Sequence, residues 1–277
     1  MPPEAAAAAL VSALIHASWN ALVKAGADRM ANLFLIGAGS AAMGVALLPF
    51  AGPPPWHVWH FLLASACIHG AYWWALLRGY ELGDLSHVYT LSRGLAPLLV
   101  AAGAAIVAQE LPAPVEATGI ALICAGVLSV GVSPGAPWKA TRHSLLLAAI
   151  IAAYSLNDAL GARASGDPVR YIMWMTLGFA VPQALFSLAW RGPARMMRAV
   201  APIWKLGLFA GALSAGGFGI VIWAQSRAPI AQVTALRETS VVFAALIAWF
   251  VLRERMGPRR WAGAALVTCG ALLIGFF

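Results

Sequence analysis

Ionisable, amide and aromatic side chains stand inside stretches of this sequence that are otherwise almost entirely apolar. An arginine presents a planar fork of donors that binds a carboxylate through two hydrogen bonds. A buried acid can face an ammonium group, and aromatic rings stack on aromatic or cationic groups. These residue types suit a zwitterionic amino acid better than a sugar phosphate, which needs more basic groups. The candidate binding residues are His16, Trp19, Asn20, His69, Tyr72, Trp73, Tyr89, Arg93, Tyr154, Asn157, Trp223, Arg237 and Glu238.

Spacing places many of these side chains on common helix faces. Ser12, His16 and Asn20 recur every four residues and therefore share one face of a helix, as do Tyr89 and Arg93. The remaining groups are neighbours in the sequence: His69 with Tyr72 and Trp73, Tyr154 with Asn157 and Asp158, Trp223 with Gln225, and Arg237 with Glu238. We expect these faces to surround a polar cavity, in which Glu238 or Asp158 would face an ammonium group.

Each candidate also has a structural interpretation. Arg93 and Glu238 would form an ion pair, because buried charges are generally paired. The histidines and asparagines would form hydrogen bonds between helices. Asp158 and Arg163 lie near the predicted end of a helix, where water would solvate them, whereas Glu110 and Glu254 would cap or bound helices. Tryptophans near the ends of apolar stretches would anchor the chain at a membrane interface; they are Trp56, Trp59, Trp138, Trp190, Trp204, Trp249 and Trp261.

The composition predicts a protein whose surroundings are lipid. Apolar residues make up 61% of the 277 residues and charged residues only 10%. A soluble domain carries about 25% charged residues, and it needs them to cover its surface. The net charge of +8 comes from Lys and Arg in short loops beside the apolar stretches, which is typical of membrane proteins and indicates no nucleic-acid partner.

Ten stretches are long enough to cross the hydrocarbon core of a bilayer, which requires about 20 mostly apolar residues. Turn-forming segments such as AGPPPW at 51–56 and SGDP at 165–168 separate them. The predicted fold is all-α, with transmembrane helices at 5–24, 31–50, 58–79, 86–107, 114–133, 143–162, 169–190, 203–225, 230–252 and 257–276.

The two halves of the chain carry matching residues. Arg93 and Arg237 are 144 residues apart, and the same offset relates four further pairs: Glu110 to Glu254, Gly119 to Gly263, Gly126 to Gly270 and Gly131 to Gly275. A Ser-x-Asn also stands near the start of each half, at 18–20 and 155–157. Five spans per half reverse the direction of the second half, so residues 1–133 and 143–277 are predicted to be two inverted five-helix repeats around a central cavity.

The placement of Lys and Arg predicts the orientation in the membrane. The odd-numbered loops carry 13 of these residues and the even-numbered loops only three, Arg163, Arg170 and Arg227. Basic loops stay on the cytoplasmic side. The odd-numbered loops are therefore expected in the cytoplasm and both termini outside.

Two segments resemble the signature half of the EamA-type drug/metabolite transporters, which is a helix that ends in an acidic turn followed by a glycine-punctuated helix. They are RGLAPLLVAAGAAIVAQELPAPVEATGIALICAGVLSVG and ETSVVFAALIAWFVLRERMGPRRWAGAALVTCGALLIG, and HASWNALVK at 16–24 resembles the opening helix of some members. The resemblance implies ten helices in two inverted repeats, a central substrate cavity, and export of amino acids or related small metabolites. Exporters of aromatic amino acids are among the members.

Two features depart from the family pattern. Members of this length usually place both termini in the cytoplasm, whereas the charge count places them outside. Small multidrug members carry a membrane glutamate in their first helix, whereas this chain offers His16 and Asn20 there.

We therefore expect a secondary transporter of the bacterial inner membrane that exports small metabolites by alternating access. The sequence contains no GxxxxGK[ST], HExxH, GxSxG or CxxC, so we predict neither an ATP-driven pump nor an enzyme, and neither a cofactor nor a metal. His16 and Glu238 are the candidates for proton handling, and proton antiport and uniport both stay open. A multidrug carrier, a nucleotide-sugar carrier and a lipid-modifying membrane enzyme are the alternatives. The sequence leaves the oligomeric state open and is compatible with a monomer.

Overall fold

The computed structural model describes residues 1–24, 28–82, 85–132, 135–251, 253 and 256–276. All regular elements in these ranges are helical. Among the residues interpreted above, Glu254 lies outside the described ones. The α-helices are α1 (Pro3–Lys24), α2 (Arg29–Leu47), α3 (Trp59–Leu82), α4 (Leu85–Val107), α5 (Pro114–Gly131), α6 (Trp138–Ala164), α7 (Pro168–Arg191), α8 (Pro193–Val200), α9 (Trp204–Gln225), α10 (Ile230–Arg237), α11 (Ser240–Phe250) and α12 (Pro258–Phe276).

Eight helical segments among the described residues are long and apolar enough to cross a membrane. Six are formed by single α-helices. Met30–Phe50 is formed by α2 and the 3₁₀ turn Leu48–Phe50 that follows it, and Ile230–Phe250 by α10 with α11. Helices α3 and α12 occupy the two remaining predicted spans but are not among the eight. The protein is thus an all-helical integral membrane protein.

The connection between α7 and α9 contains a turn at Gly192 and the short helix α8. Gly192 has a backbone φ of +83°, a conformation that glycine adopts without steric cost, and it ends α7. Pro193 follows at the first position of α8, where its missing N–H costs nothing. Met196 and Val200 are buried against α2, so one side of α8 faces the protein.

The prediction of a continuous helix over 230–252 was wrong. Helix α10 ends at Arg237 and α11 begins at Ser240, with a turn at Glu238 and Thr239 between them. The amide groups of these two residues donate to carbonyl groups only three residues back, at 2.9 and 3.0 Å, which interrupts the α-helical pattern. Irregular backbone at membrane depth is tolerated where protein or a wet cavity surrounds it. Glu238 and Thr239 are buried, which meets that condition.

Helices α5 and α12 pack against each other in antiparallel directions through four glycines. Gly119 faces the carbonyl group of Gly270, and Gly126 faces that of Gly263. The contacts are reciprocal, because Gly263 and Gly270 face the carbonyl groups of Gly126 and Gly119 in return. An added Cβ at Gly270 would lie 2.5 Å from the Gly119 oxygen, closer than real Cβ atoms approach. This contact therefore requires glycine on both helices.

Small residues also bring α9 against its neighbours. Gly211 lies against the backbone of α2, and its carbonyl group accepts a hydrogen bond from Ser40 at 3.0 Å. The Ser12 hydroxyl of α1 donates to the carbonyl group of Gly217 at 2.7 Å. Hydroxyl-to-carbonyl bonds of this kind join membrane helices without leaving a polar group unsatisfied.

An ion pair joins two helix ends on the side of the odd-numbered loops. Asp28 caps α2 by accepting from the Ala31 amide at 3.0 Å, and its other oxygen lies 2.5 Å from Arg191 at the end of α7. Partial burial acts to raise the pKa of Asp28. The Ala31 amide and Arg191 outweigh that effect and hold the pKa below its usual range.

Gly270→Ala is expected to lower the thermal midpoint of unfolding in detergent, because the added methyl group forces α5 and α12 apart. Overpacking of this kind costs roughly 1–3 kcal/mol. The matched control is Gly275→Ala on the same helix, where a Cβ meets nothing within 4 Å. Equal midpoints for the two variants would contradict the proposed close approach.

Asp28→Ala is expected to destabilise the protein at neutral pH, by roughly 0.5–2 kcal/mol for a lost helix cap. Because folding lowers the pKa of Asp28, its contribution is present above the ordinary pKa of an aspartate and is lost as the pH falls through the lowered value. Asp28→Asn keeps a capping side chain but removes the charge. The unfolding midpoints of the wild type and Asp28→Asn, measured from neutral to acidic pH, should therefore converge toward the acidic end, whereas Asp28→Ala, which also lacks the cap, should stay below both. Parallel curves would exclude a charge effect.

Candidate functional site

A buried ion pair joins α4 to the turn between α10 and α11. A guanidinium nitrogen of Arg93 lies 2.6 Å from a carboxylate oxygen of Glu238, and the two residues are 6% and 2% exposed. The structural interpretation of these two residues as an ion pair is thus confirmed. Breaking a buried pair by removing one partner is strongly destabilising, since the other charge is left uncompensated. The pair therefore holds the broken helix against α4.

Arg237 lies beside this pair with an incomplete set of partners. Its guanidinium carbon is 5.5 Å from the centre of the Phe218 ring, in the geometry of a cation–π contact. Its buried Nε has no hydrogen-bond partner in the part of the chain that the structure describes. One carboxylate, Glu238, thus faces two neighbouring arginines, and the local balance of these three charges is positive.

The polar face of α1 contacts α4 next to the ion pair. His16 and the Tyr89 hydroxyl share a hydrogen bond of 3.3 Å, and Tyr89 precedes Arg93 by one helical turn. Trp19 meets the His16 ring edge-on at 5.2 Å. Asn20 donates its amide to the carbonyl group of His16 at 2.7 Å, so part of its hydrogen-bonding capacity is used within α1.

An aromatic cluster lies on the other side of Arg237. It consists of His69, Tyr72, Tyr154, Phe179 and Phe218, which belong to the four helices α3, α6, α7 and α9. His69 stacks on Tyr154 at 4.6 Å and on Phe179 at 5.1 Å, and Phe218 meets His69 edge-on at 5.7 Å. Tyr72 meets Tyr154 edge-on at 5.7 Å. Arg237 therefore contacts the cluster through Phe218.

Three candidate residues contact groups outside the ion pair and the aromatic cluster, or reach the cluster only at its edge. Asn157 donates to the Phe61 carbonyl group at 2.9 Å and to Asp158 at 3.0 Å. Trp223 lies under the guanidinium of Arg227, 4.7 Å from its ring centre, at the end of α9. Trp73 touches the edge of the cluster through Tyr72 at 5.1 Å, and its buried indole nitrogen lacks a partner among the described residues.

The prediction that water solvates Asp158 was wrong. Asp158 is 0% exposed, and its nearest basic group is His69, whose Nε2 lies 4.0 Å from a carboxylate oxygen. The helix α6 continues to Ala164, two residues beyond the predicted span, so Asp158 lies inside it.

Arg163 is also bound by protein rather than left to water, and it joins three connecting segments. It donates to Glu110 at 2.6 Å and to the carbonyl groups of Gln225 and Ala228 at 2.8 and 2.7 Å. The second carboxylate oxygen of Glu110 accepts from the amide of Ile230 at 2.7 Å. Glu110 is thus a capping residue, as predicted, but it caps α10, which lies 120 residues away in sequence. We call this set the even-side network.

Tryptophans at the predicted interface positions are exposed, with one exception. The exposed ones are Trp56, Trp138, Trp190, Trp204, Trp249 and Trp261. Trp59 instead packs edge-on against Trp174 at 5.4 Å and is partly buried against the core. The anchoring interpretation of Trp59 is therefore corrected to a packing role.

The sequence reasoning missed Phe179 and Phe218. Phe218 is the single bulky residue in the run AGGFG, and a lone ring among glycines is a signal that could have found it. Phe179 had no such signal, because phenylalanine is common in apolar helices. The described residues contain no group of three or more His, Cys, Asp or Glu side chains that could hold a metal ion.

Comparisons with known proteins agree with this architecture. One crystal structure superposes on 99% of this chain and 98% of its own with a TM-score of 0.70 at 17% sequence identity, a likeness that concerns the fold alone. No curated protein matches the sequence. Residues 143–276 match the EamA-like transporter family. This segment, which is just under half of the chain, is thus similar to a family of the drug/metabolite transporter superfamily.

Proposed function

We propose that the protein is a secondary transporter that exports amino acids with aromatic or other apolar side chains. The family match supports a membrane transporter of small metabolites. The observation that carries the amino-acid assignment is Arg237, an arginine with an unpartnered buried Nε between an ion pair and an aromatic cluster.

The carboxylate of the substrate would bind Arg237. Arg93 is already paired with Glu238, whereas Arg237 has a donor without an acceptor, and a guanidinium matches a carboxylate in geometry and charge. Glu238, which pairs with Arg93 and lies near Arg237, would attract the ammonium group of the substrate. A zwitterion thus offers a carboxylate to Arg237 and an ammonium group to Glu238, and it leaves the net charge of the three residues unchanged.

The side chain of the substrate would lie against the aromatic cluster. Rings from α3, α6, α7 and α9 meet there edge-on or stacked, which are the arrangements in which aromatic pairs attract. We propose a site whose walls are His16, Trp19, Tyr89, His69, Tyr72, Trp73 and Tyr154. Asn20, Asn157 and Trp223 would hold these walls in position, because their side chains bond to or pack on neighbouring groups.

We further propose that the two halves form inverted five-helix repeats with ten spans. The reciprocal glycine contacts of α5 and α12 support this architecture, because Gly119 and Gly126 exchange roles with Gly263 and Gly270 at an offset of 144. The antiparallel packing of two corresponding helices is what an axis in the membrane plane produces. Gln109 and Arg253, 144 residues apart, also share positive φ values of 56° and 53°.

Alternating access would act on the contacts around this site. The break between α10 and α11 resembles the discontinuous helices that form substrate sites in many secondary transporters. The even-side network joins three connecting segments by hydrogen bonds, so it would have to open for the substrate to leave on that side.

Arg237→Gln is expected to weaken binding of L-phenylalanine by about ten- to a hundredfold, since a hydrogen bond to a charged group contributes about 1.5–3 kcal/mol. The measurement is counterflow of labelled phenylalanine in proteoliposomes, with binding read in parallel as a ligand-dependent shift of the unfolding midpoint. In the wild type, phenylalaninamide, which lacks the carboxylate, should not compete.

The matched control for this experiment is Arg170→Gln. Arg170 pairs with Asp167 at the start of α7, at 3.4 Å, and both side chains are substantially exposed. Its substitution should leave counterflow unchanged. Full competition by phenylalaninamide, or an Arg237→Gln protein with wild-type affinity, would rule out the carboxylate site.

The orientation proposed from the charge count places both termini outside the cytoplasm of the bacterial inner membrane. A fusion of the C-terminus to alkaline phosphatase, which is active outside the cytoplasm, should be active, and a fusion of the same point to a fluorescent protein that folds only inside should be dark. The reverse result would show that the family's usual orientation applies and that the loop charges do not decide it.

A further inference from the structure

A second polar centre lies between α3 and α6, on the far side of the aromatic cluster from Arg237. Its members are Ser65 and His69 of α3 and Asn157 and Asp158 of α6. Asp158 and His69 are 0% and 5% exposed. The proposed substrate site uses His69 as part of its wall and Asn157 as support, but it assigns no role to Asp158.

Hydrogen bonds satisfy only half of the Asp158 carboxylate. Oδ1 accepts from the Asn157 amide at 3.0 Å, whereas the buried Oδ2 has no hydrogen-bond partner among the described residues. A bare carboxylate oxygen in an apolar interior is costly, and such a group either becomes neutral or gains a positive partner.

His69 is the partner that the geometry provides. Its Nδ1 lies 3.0 Å from the carbonyl oxygen of Ser65, which can only accept, so Nδ1 donates and carries a proton. The second nitrogen, Nε2, is thereby directed toward Asp158 and lies 4.0 Å from Oδ2. A movement of about 1 Å would bring the two atoms within hydrogen-bond distance. A single additional proton, on either Oδ2 or Nε2, neutralises or compensates the buried charge.

We infer that Asp158 and His69 together bind the proton that drives transport, an inference that rests on the proposed function. Protonation forms one O–H or N–H bond with a proton from water on one side. Deprotonation breaks that bond and returns the proton to water on the other side. No other bond changes and no further reactant is needed. This pair replaces His16 and Glu238 as the proposed place of proton exchange.

The Asp158–His69 pair can bind and release a proton independently of the ionisable groups around it. The titratable groups that face it are Tyr154 on α6 and Tyr171 on α7, whose buried hydroxyl lacks a partner among the described residues. Of the other helices packed on α6, α4 carries Arg93 and α10 carries Arg237, and both interact electrostatically with Tyr154. On α9 the facing residue is Phe218, which has no charge.

The aromatic cluster connects proton binding to substrate binding. Phe218 contacts His69 at 5.7 Å and Arg237 at 5.5 Å, so a substrate that draws Arg237 toward its carboxylate also changes the packing of His69. Movement of His69 alters its distance from Asp158, and that distance decides how well the pair holds a proton. Substrate and proton would thus affect each other's binding reciprocally.

The test compares two kinds of transport of labelled L-phenylalanine in proteoliposomes. Counterflow at equal pH needs no proton movement, whereas accumulation driven by a pH gradient does. Asp158→Asn is expected to lose gradient-driven accumulation and to retain counterflow, because Asp158 is not part of the wall of the substrate site. Asp158→Glu, which keeps a titratable carboxyl group, is expected to retain both. The control is Asp167→Asn, which removes an exposed carboxylate while keeping an N-cap side chain on α7, and it should behave as the wild type.

Gradient-driven accumulation by Asp158→Asn would overturn the inference. Absence of wild-type counterflow would instead refute phenylalanine as a substrate. In that case the proton site is judged in detergent, where an indicator dye records protons released on raising the pH. The wild type should release a proton that Asp158→Asn does not, and equal release would overturn the inference. If Asp158→Asn does not fold, as judged by size-exclusion chromatography, the dye measurement on His69→Gln decides the result: proton release at a pH different from that of the wild type supports the inference, and an unchanged pH of release overturns it.

Discussion

The buried ion pair between Arg93 and Glu238 is the interaction on which the rest of the site depends. It lies where the backbone between α10 and α11 leaves the helical pattern, and it ties that turn to α4. Lipid offers no hydrogen bonds to irregular backbone, so a broken helix of this kind must be enclosed by protein. Because the pair occupies Glu238 and Arg93, the adjacent Arg237 keeps a donor for another group.

The aromatic cluster connects charged groups on different helices that do not pair directly with each other. His69, Tyr154 and Phe218 come from α3, α6 and α9, and their rings touch one another between Arg237 and Asp158. Rings packed at interior density move together rather than independently. In the proposed mechanism, a movement of Arg237 at one end of this cluster therefore changes the packing next to Asp158 at the other end, although the two charged groups do not touch.

Sequence reasoning identified most of the residues that surround the proposed site but misjudged several of their surroundings. Arg93 and Glu238 were expected to pair, and they do, because two opposite charges in apolar helices have few alternatives. Asp158 was expected at a solvated helix end, and it is buried instead, because α6 extends further than its apolar stretch. Phe179 was missed, since a phenylalanine in an apolar helix carries no polar signal of its role.

The sequence by itself determined that this protein is helical and lies in a membrane, since an excess of apolar residues and a lack of charge leave no other solvent for its surface. It also determined which side chains are unusual in that solvent, because each charge inside an apolar stretch is conspicuous. The tertiary structure alone decided the break at Glu238, the partner of Asp158 and the bond of Glu110 to Ile230. These depend on contacts between helices that are far apart in the chain, and periodicity within one helix contains no information about them.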